Sequence, residues 1–159
     1  MVHTEKIVKD LEISYSGVFD LKEFLNIIKK YFERHSYSLS EKVYDTKTKD
    51  DAKITMMKWE FDRRLDDYNK GIVKLVIKIN NYTENYLQGK KVVKGDITLK
   101  INAELNRDHE QKWKGSMTKK FFRSLYDQYI AVDRQDRVKD ALKDLTEGFR
   151  KEVKKYFNI

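Results

Sequence analysis

GIVKLVIKINNYTENYLQGKKVVKGDITLKINAEL, residues 71–105, is the stretch on which the reading of the chain turns. Val73, Leu75, Ile77 and Ile79 alternate with mostly polar residues, a turn over Gln88–Lys91 follows, and Leu99, Ile101, Ala103 and Leu105 then alternate in the same way. A period of two marks strands with one buried face. A hairpin that places Ile79 opposite Leu99, Ile77 opposite Ile101, Leu75 opposite Ala103 and Val73 opposite Leu105 makes every pair apolar. Residues paired across a ladder share a face, so this parity is a strong constraint.

The parity extends outward in both directions. It places Phe61 opposite Ile77, Trp59 opposite Ile79, Leu39 opposite Trp59 and Val43 opposite Thr55. On the other side it places Ala103 opposite Gly115 and Ile101 opposite Met117. Turns at Lys47–Asp51, Asp66–Gly71 and Asn106–Gln111 complete the division of Tyr37–Lys119 into five antiparallel strands. Ahead of them, Ile7, Leu11, Ile13 and Tyr15 alternate as a strand that Gly17 interrupts. Asp20-Leu21-Lys22-Glu23 has capping-box spacing, with Phe19 and Phe24 placed to form a hydrophobic staple. Leu21, Phe24, Leu25, Ile28, Tyr31 and Phe32 recur at helical spacing, predicting a helix from about Asp20 to His35.

After the strands the period returns to that of a helix, through Phe121–Ile130 and again through Val138–Tyr156, with Asp133–Asp136 as a kink or a break between two helices. The predicted class is α+β: a single domain over residues 1–159, with a strand, a helix, five strands and a long C-terminal helix against a curved antiparallel meander.

This order of elements resembles the START-like helix-grip superfamily. The resemblance lies in topology and spans almost the whole chain, without a sequence motif. It implies a curved sheet gripping the last helix with a pocket between them. The family's usual pattern has two short helices and six strands after the first strand, where one helix and five strands are read here. Cystatin-like and pleckstrin-like meanders are the alternative α+β arrangements.

Composition narrows the functional classes. The chain has 159 residues, of which 38% are charged, against about 25% in a typical domain. Its formal net charge is +8, supplied mostly by lysine, and it contains no cysteine and no proline. The absence of cysteine excludes disulfides, thiol catalysis and Cys-ligated metals. A basic surface attracts polyanions, although many soluble domains carry this much charge. No signal-peptide pattern and no apolar run of membrane-spanning length is present, so the expected location is cytoplasmic.

No catalytic constellation emerges. His3, His35 and His109 have no partners at metal-ligand spacing, and the six glycines match no phosphate-loop or dinucleotide fingerprint. The chain therefore reads as a binding protein rather than an enzyme, with neither cofactor nor metal expected. Two surfaces compete for the function. The first is the odd-numbered, concave face, where Trp59, Phe61, Ile77, Ile101, Trp113, Met117 and the helical Phe149 would line a site for an apolar or amphipathic small molecule. Glu41 and Arg63, interspersed on that face, would orient the ligand; the plain structural alternative is that the aromatics fill the core and the two charges reach solvent at strand ends. The second is the even-numbered face. There Lys74, Lys78, Lys100, Lys114 and Lys120, interleaved with Tyr82, Tyr86 and Tyr44, could follow a phosphate backbone and stack the bases of RNA.

Overall fold

A computed structural model describes residues 3–50, 52–107 and 132–159. The elements are β1 (His3–Phe19), α1 (Leu21–Arg34), β2 (Ser38–Lys49), β3 (Ala52–Arg64), β4 (Asn69–Leu87), β5 (Lys90–Arg107) and α2 (Val132–Phe157). The strands form one five-stranded antiparallel sheet in the order β1-β5-β4-β3-β2. The fold is α+β: a meander of hairpins, completed by the first strand, with the C-terminal helix packed against it. This arrangement is helix-grip-like.

Local chemistry sets the ends of α1. The Asp20 carboxylate accepts from the Glu23 backbone N–H at 3.1 Å, satisfying one of the free N–H groups of the first turn. The rings of Phe19 and Phe24 meet edge to face with centroids 6.5 Å apart, the staple that spacing predicts. Gly17 does not end β1. The strand continues to Phe19, with Gly17 paired to Gly95. Asp133–Asp136 lie within α2, so no break occurs there. Residues 108–131, and with them the fifth predicted strand of the meander, lie outside the described set. The partners expected for Ala103 and Ile101, Gly115 and Met117, belong to that segment. At Ile101 and Ala103 both edges of β5 are already taken, by β1 and by β4.

The parity of the central hairpin is observed, but its register differs by two residues: Ile79 faces Ile97, Ile77 faces Leu99, Leu75 faces Ile101 and Val73 faces Ala103. In the next ladder Trp59 faces Leu75 and Phe61 faces Val73, a shift of four, and beyond it Leu39 faces Phe61 rather than Trp59. Even shifts keep the apolar set on one face. Trp59, Phe61, Ile77 and Ile101 are accordingly buried, together with Phe149 of α2.

Bulges break the parity in two places that matter for function. Lys42 is an extra residue between Glu41, which faces Trp59, and Val43, which faces Lys58. Beyond it Val43 turns to the outer face, and Tyr44 turns to the helix side opposite Met57. In β4, Asn81 and Tyr82 are inserted between Asn80 and Thr83, with Asn81 at φ 51°. An Asn tolerates that left-handed conformation better than most residues. The bulge turns Tyr82 inward, where it is 4% exposed and its hydroxyl meets Thr55 Oγ1 at 2.6 Å. Tyr86 follows onto the same side, paired with Lys91, two residues from the buried Val93. All three tyrosines expected on the outer face thus point the other way.

Gly95 sits opposite this bulge. A Cβ placed on it would lie 2.5 Å from Tyr82 Cβ and 2.7 Å from Tyr82 Cα. The obstruction includes backbone and cannot swing aside, so Gly95→Ala is expected to destabilise the fold by about 1–3 kcal/mol through overpacking. Urea denaturation measures this directly, and an unchanged midpoint would show that the bulge does not need the glycine.

Candidate functional site

The expected ligand-lining residues separate into four groups. Trp59, Phe61, Ile77, Ile101 and Phe149 are at most 3% exposed and form solid core. Phe32 stacks on Phe61 with centroids 4.1 Å apart and meets Phe149 at 4.9 Å, filling the space between sheet and helices at that level. Glu41 lies exposed on β2, and Trp113 and Met117 lie outside the described residues. Among the described ones, Arg63 borders a cleft on the helix side of the sheet.

That cleft, of about 510 Å³, lies between the C-terminal end of α1, the end of β3 and the N-terminal half of α2. Its apolar wall is Leu65 from the β3–β4 connection with Ala141, Leu142 and Leu145 from α2. These α2 positions belong to one helical stripe, which explains why a single face of the helix supplies them. The polar groups are Tyr31 from the last turn of α1, His35 and Tyr37 from the α1–β2 connection and Arg63 from the end of β3, with Asp144 on α2.

Hydrogen bonds fix several of these groups. The Tyr31 hydroxyl donates to the Leu145 carbonyl at 2.5 Å. It passes directly over Gly148, where a Cβ would come within 2.7 Å of the hydroxyl oxygen. The glycine inside α2 therefore makes room for a tyrosine from α1 at an ordinary helix-propensity cost of about 1 kcal/mol. His35 Nδ1 lies 2.8 Å from the Tyr31 carbonyl, an obligate acceptor, so Nδ1 carries the proton and Nε2 is the ring's acceptor in the neutral form. Arg63 Nη1 donates to the His35 carbonyl at 3.1 Å, and the rest of its exposed guanidinium has no hydrogen-bond partner among the described residues.

Burial is the main cause that pushes both the Tyr31 and Tyr37 hydroxyls up to about 12. The Glu152 carboxylate adds to the rise at Tyr31, and the nearby Arg63 charge partly opposes it at Tyr37. At neutral pH both groups hold their protons and act as hydrogen-bond donors rather than bases. Among the described residues no group of three or more His, Asp or Glu side chains is placed to hold a metal ion.

The outer face has a different character. Lys74 pairs with Glu104 at 3.1 Å and Lys70 with Asp62 at 3.0 Å. Lys78 and Lys100 are exposed and form no ion pair with a described residue, while Lys114 and Lys120 lie outside the described set. No helix among the described residues is long and apolar enough to cross a membrane. No family model matches the chain, and no curated protein matches it in sequence.

The raised tyrosines predict an alkaline weakness. Each folded-state value lies above the ordinary 10.0, so the folded protein retains protons that the unfolded chain has released. Their contribution is complete below about pH 10 and is lost as pH rises toward about 12. Chemical denaturation across that interval should show stability falling, with a shallower fall in Tyr37→Phe. Equal slopes in the two proteins would dissociate Tyr37 from the effect.

Proposed function

We propose that the chain is a non-enzymatic binding protein for an apolar or amphipathic small molecule, held where α2 meets the end of the sheet. The observation that carries this reading is the cleft of about 510 Å³, with an apolar wall and a few convergent polar groups. Small-molecule sites have this size and this mixture. The hydrocarbon part of the ligand rests on Leu65, Leu142 and Leu145, and its polar end meets Tyr37 and Arg63.

Dodecanoate and dodecanol serve as paired probes, differing in the charge of one end. Both should raise the melting temperature of the protein by mass action. Ala141 is exposed on the α2 wall, so Ala141→Trp should fill the cleft, leave the unliganded protein folded and weaken both probes about tenfold or more. Arg63→Gln should weaken dodecanoate by a similar factor and leave dodecanol unchanged, because only the carboxylate gains from the guanidinium. Undiminished binding in Ala141→Trp would overturn this assignment of the site.

A second reading uses the outer face to bind RNA. It is supported by Lys78 and Lys100, which are exposed and form no ion pair with a described residue, and it proceeds without aromatic stacking, since Tyr44, Tyr82 and Tyr86 turn to the opposite side. On this reading a decauridylate binds with a log–log salt slope of about −0.7 per neutralised phosphate. Changing Lys78 and Lys100 to Glu should flatten that slope. Absence of saturable binding near physiological salt would remove the reading.

A further inference from the structure

The β4–β5 hairpin projects beyond the rest of the sheet. β3 pairs with it last at Lys53 and Tyr82, and β1 at Phe19 and Val93. The three rungs that follow, Asn85 with Val92, Tyr86 with Lys91 and Leu87 with Lys90, have no third strand beside them among the described residues. They extend the ribbon by roughly 10 Å at the usual rise per residue. Gln88 and Gly89 close it as a two-residue turn, with φ 51° and 80°. Two left-handed residues in such a turn match the twist of the strands and make a stiff tip. A Cβ placed on Gly89 would meet nothing within 4 Å, so the tip stands in open space.

The most exposed apolar side chains gather at this end. Tyr86, Tyr44 and Leu87 are the three most exposed large hydrophobic residues among those described, at 78%, 65% and 60%. Successive residues of a strand point to opposite faces, so Tyr86 lies on the helix side of the ribbon and Leu87 on the outer side. Tyr44 borders a groove at the foot of the hairpin, which it shares with Lys22 of α1 and with Lys90 and Lys91. Single exposed apolar residues are ordinary, but a cluster of them at one projecting tip marks an interaction site.

The charge around the tip is positive. Residues 81–95 contain the lysines Lys90, Lys91 and Lys94 and a single acid, Glu84. The two Glu84 oxygens take Lys91 at 2.9 Å and Lys53 at 3.1 Å, and these bonds hold its carboxyl below the usual carboxylate range, so it stays charged and engaged. Lys90 and Lys94 are exposed and form no ion pair with a described residue. Lys78 and Lys100 share that property, but Lys78 lies opposite Thr98, and both stand roughly 25–35 Å back along the strands from the tip. What sets Lys90 and Lys94 apart is the exposed apolar surface beside them.

We propose that this hairpin docks the protein on the surface of an anionic lipid bilayer, with Tyr86 and Leu87 entering the headgroup region and Lys90 and Lys94 meeting lipid phosphates. Tyrosine suits that depth, because its ring is apolar and its hydroxyl stays wet. Lysine stems lie along apolar surface while their ammonium groups reach the headgroups. Shape favours a bilayer over a protein. The apolar side chains lie on both faces of a thin ribbon, so one rigid surface covers one face, whereas a fluid interface receives both. Composition favours it over RNA, since a phosphodiester strand gains from the lysines and nothing from Leu87. Two apolar side chains give weak, reversible binding, to which attraction to acidic lipid adds. The tip lies at the opposite end of the strands from Arg63, so docking leaves the ligand cleft open.

The test uses the full-length protein and vesicles of phosphatidylcholine with about 30% phosphatidylglycerol, set beside vesicles of phosphatidylcholine alone. Cosedimentation should show binding to the anionic vesicles that weakens as salt rises. Changing Tyr86 and Leu87 together to Ser should weaken it about tenfold or more, with an unchanged melting temperature, because both side chains are exposed in the free protein. Lys90→Gln with Lys94→Gln should cost about fivefold per lysine. Lys78→Gln with Lys100→Gln, more than a Debye length from the tip, should cost less than about twofold. The chain has no cysteine, so Asn85→Cys takes a single environment-sensitive dye. Its emission should shift to the blue on docking, and the same dye on Ser38→Cys, exposed at the other end of the sheet, should not shift. The proposal is overturned if anionic vesicles bind no protein at about 1 mM lipid, if the two pairs of lysine changes cost the same, or if the Ser38 dye shifts as much as the Asn85 dye. It is equally overturned if the Tyr86 and Leu87 changes weaken binding to decauridylate and leave vesicle binding intact.

Discussion

The stack of Phe32 on Phe61, with Phe149 beside it, is the contact on which the rest of the molecule depends. It joins α1, β3 and α2 at a single point, and all three rings are at most 1% exposed. Aromatic rings in such clusters gain roughly 0.5–1.5 kcal/mol per pair beyond the burial of their surface. A second aromatic group secures the far end of α2, where Phe157 stacks on Tyr15 with centroids 4.4 Å apart and meets Phe24 at 4.9 Å. Held at both points, α2 lies fixed against the sheet, and the cleft opens beyond the first point rather than between the two. A pocket under the middle of the helix would require one of these rings to be removed.

The elements of this fold are readable from local patterns, whereas their exact alignment is not. Burial of one face selects odd or even partners, so Ile77, Trp59 and Phe61 fall on the core side in any register that keeps the parity. Nothing in the alternation distinguishes Leu99 from Ile97 as the partner of Ile79, because both are aliphatic and either slip leaves every pair apolar. The bulges carry less signal still. Asn80-Asn81 could be read as ordinary strand residues, yet one left-handed backbone angle there moves Tyr82 and Tyr86 to the other side of the sheet. The nearby Gly95 is the sequence trace of that bulge, since it permits the close approach of Tyr82.

The candidate cleft was legible only through Arg63. A charged residue in an apolar alternation marks a place where the sheet reaches water or a ligand. Leu142 and Leu145 are visible as part of an amphipathic helix, but no local pattern says that their exposed margin borders the cleft rather than the core. Tyr31 and Tyr37 read as aromatic core residues, and their hydroxyls acquire a role only because the last turn of α1 and the connection that follows it bring them to the same level as α2. Gly148 illustrates the same dependence: its reason lies in a side chain 117 positions earlier.

The pairing of β1 with β5 has a consequence for the order of assembly. The other three ladders join strands adjacent in sequence and close through short turns, whereas Thr4 meets Asn106 across 102 residues. Closing so long a loop is entropically costly until the rest of the sheet offers an edge to dock on. During synthesis at about 5–20 residues per second, β1 leaves the ribosome roughly 5–20 s before its partner exists. For that interval it is an unpaired strand, and Lys6, Lys9, Asp10 and Glu12 interrupt its apolar positions with charge. These charges discourage premature pairing with another nascent chain. The last pairing of the sheet is thus assigned to the first strand made, and that strand can wait.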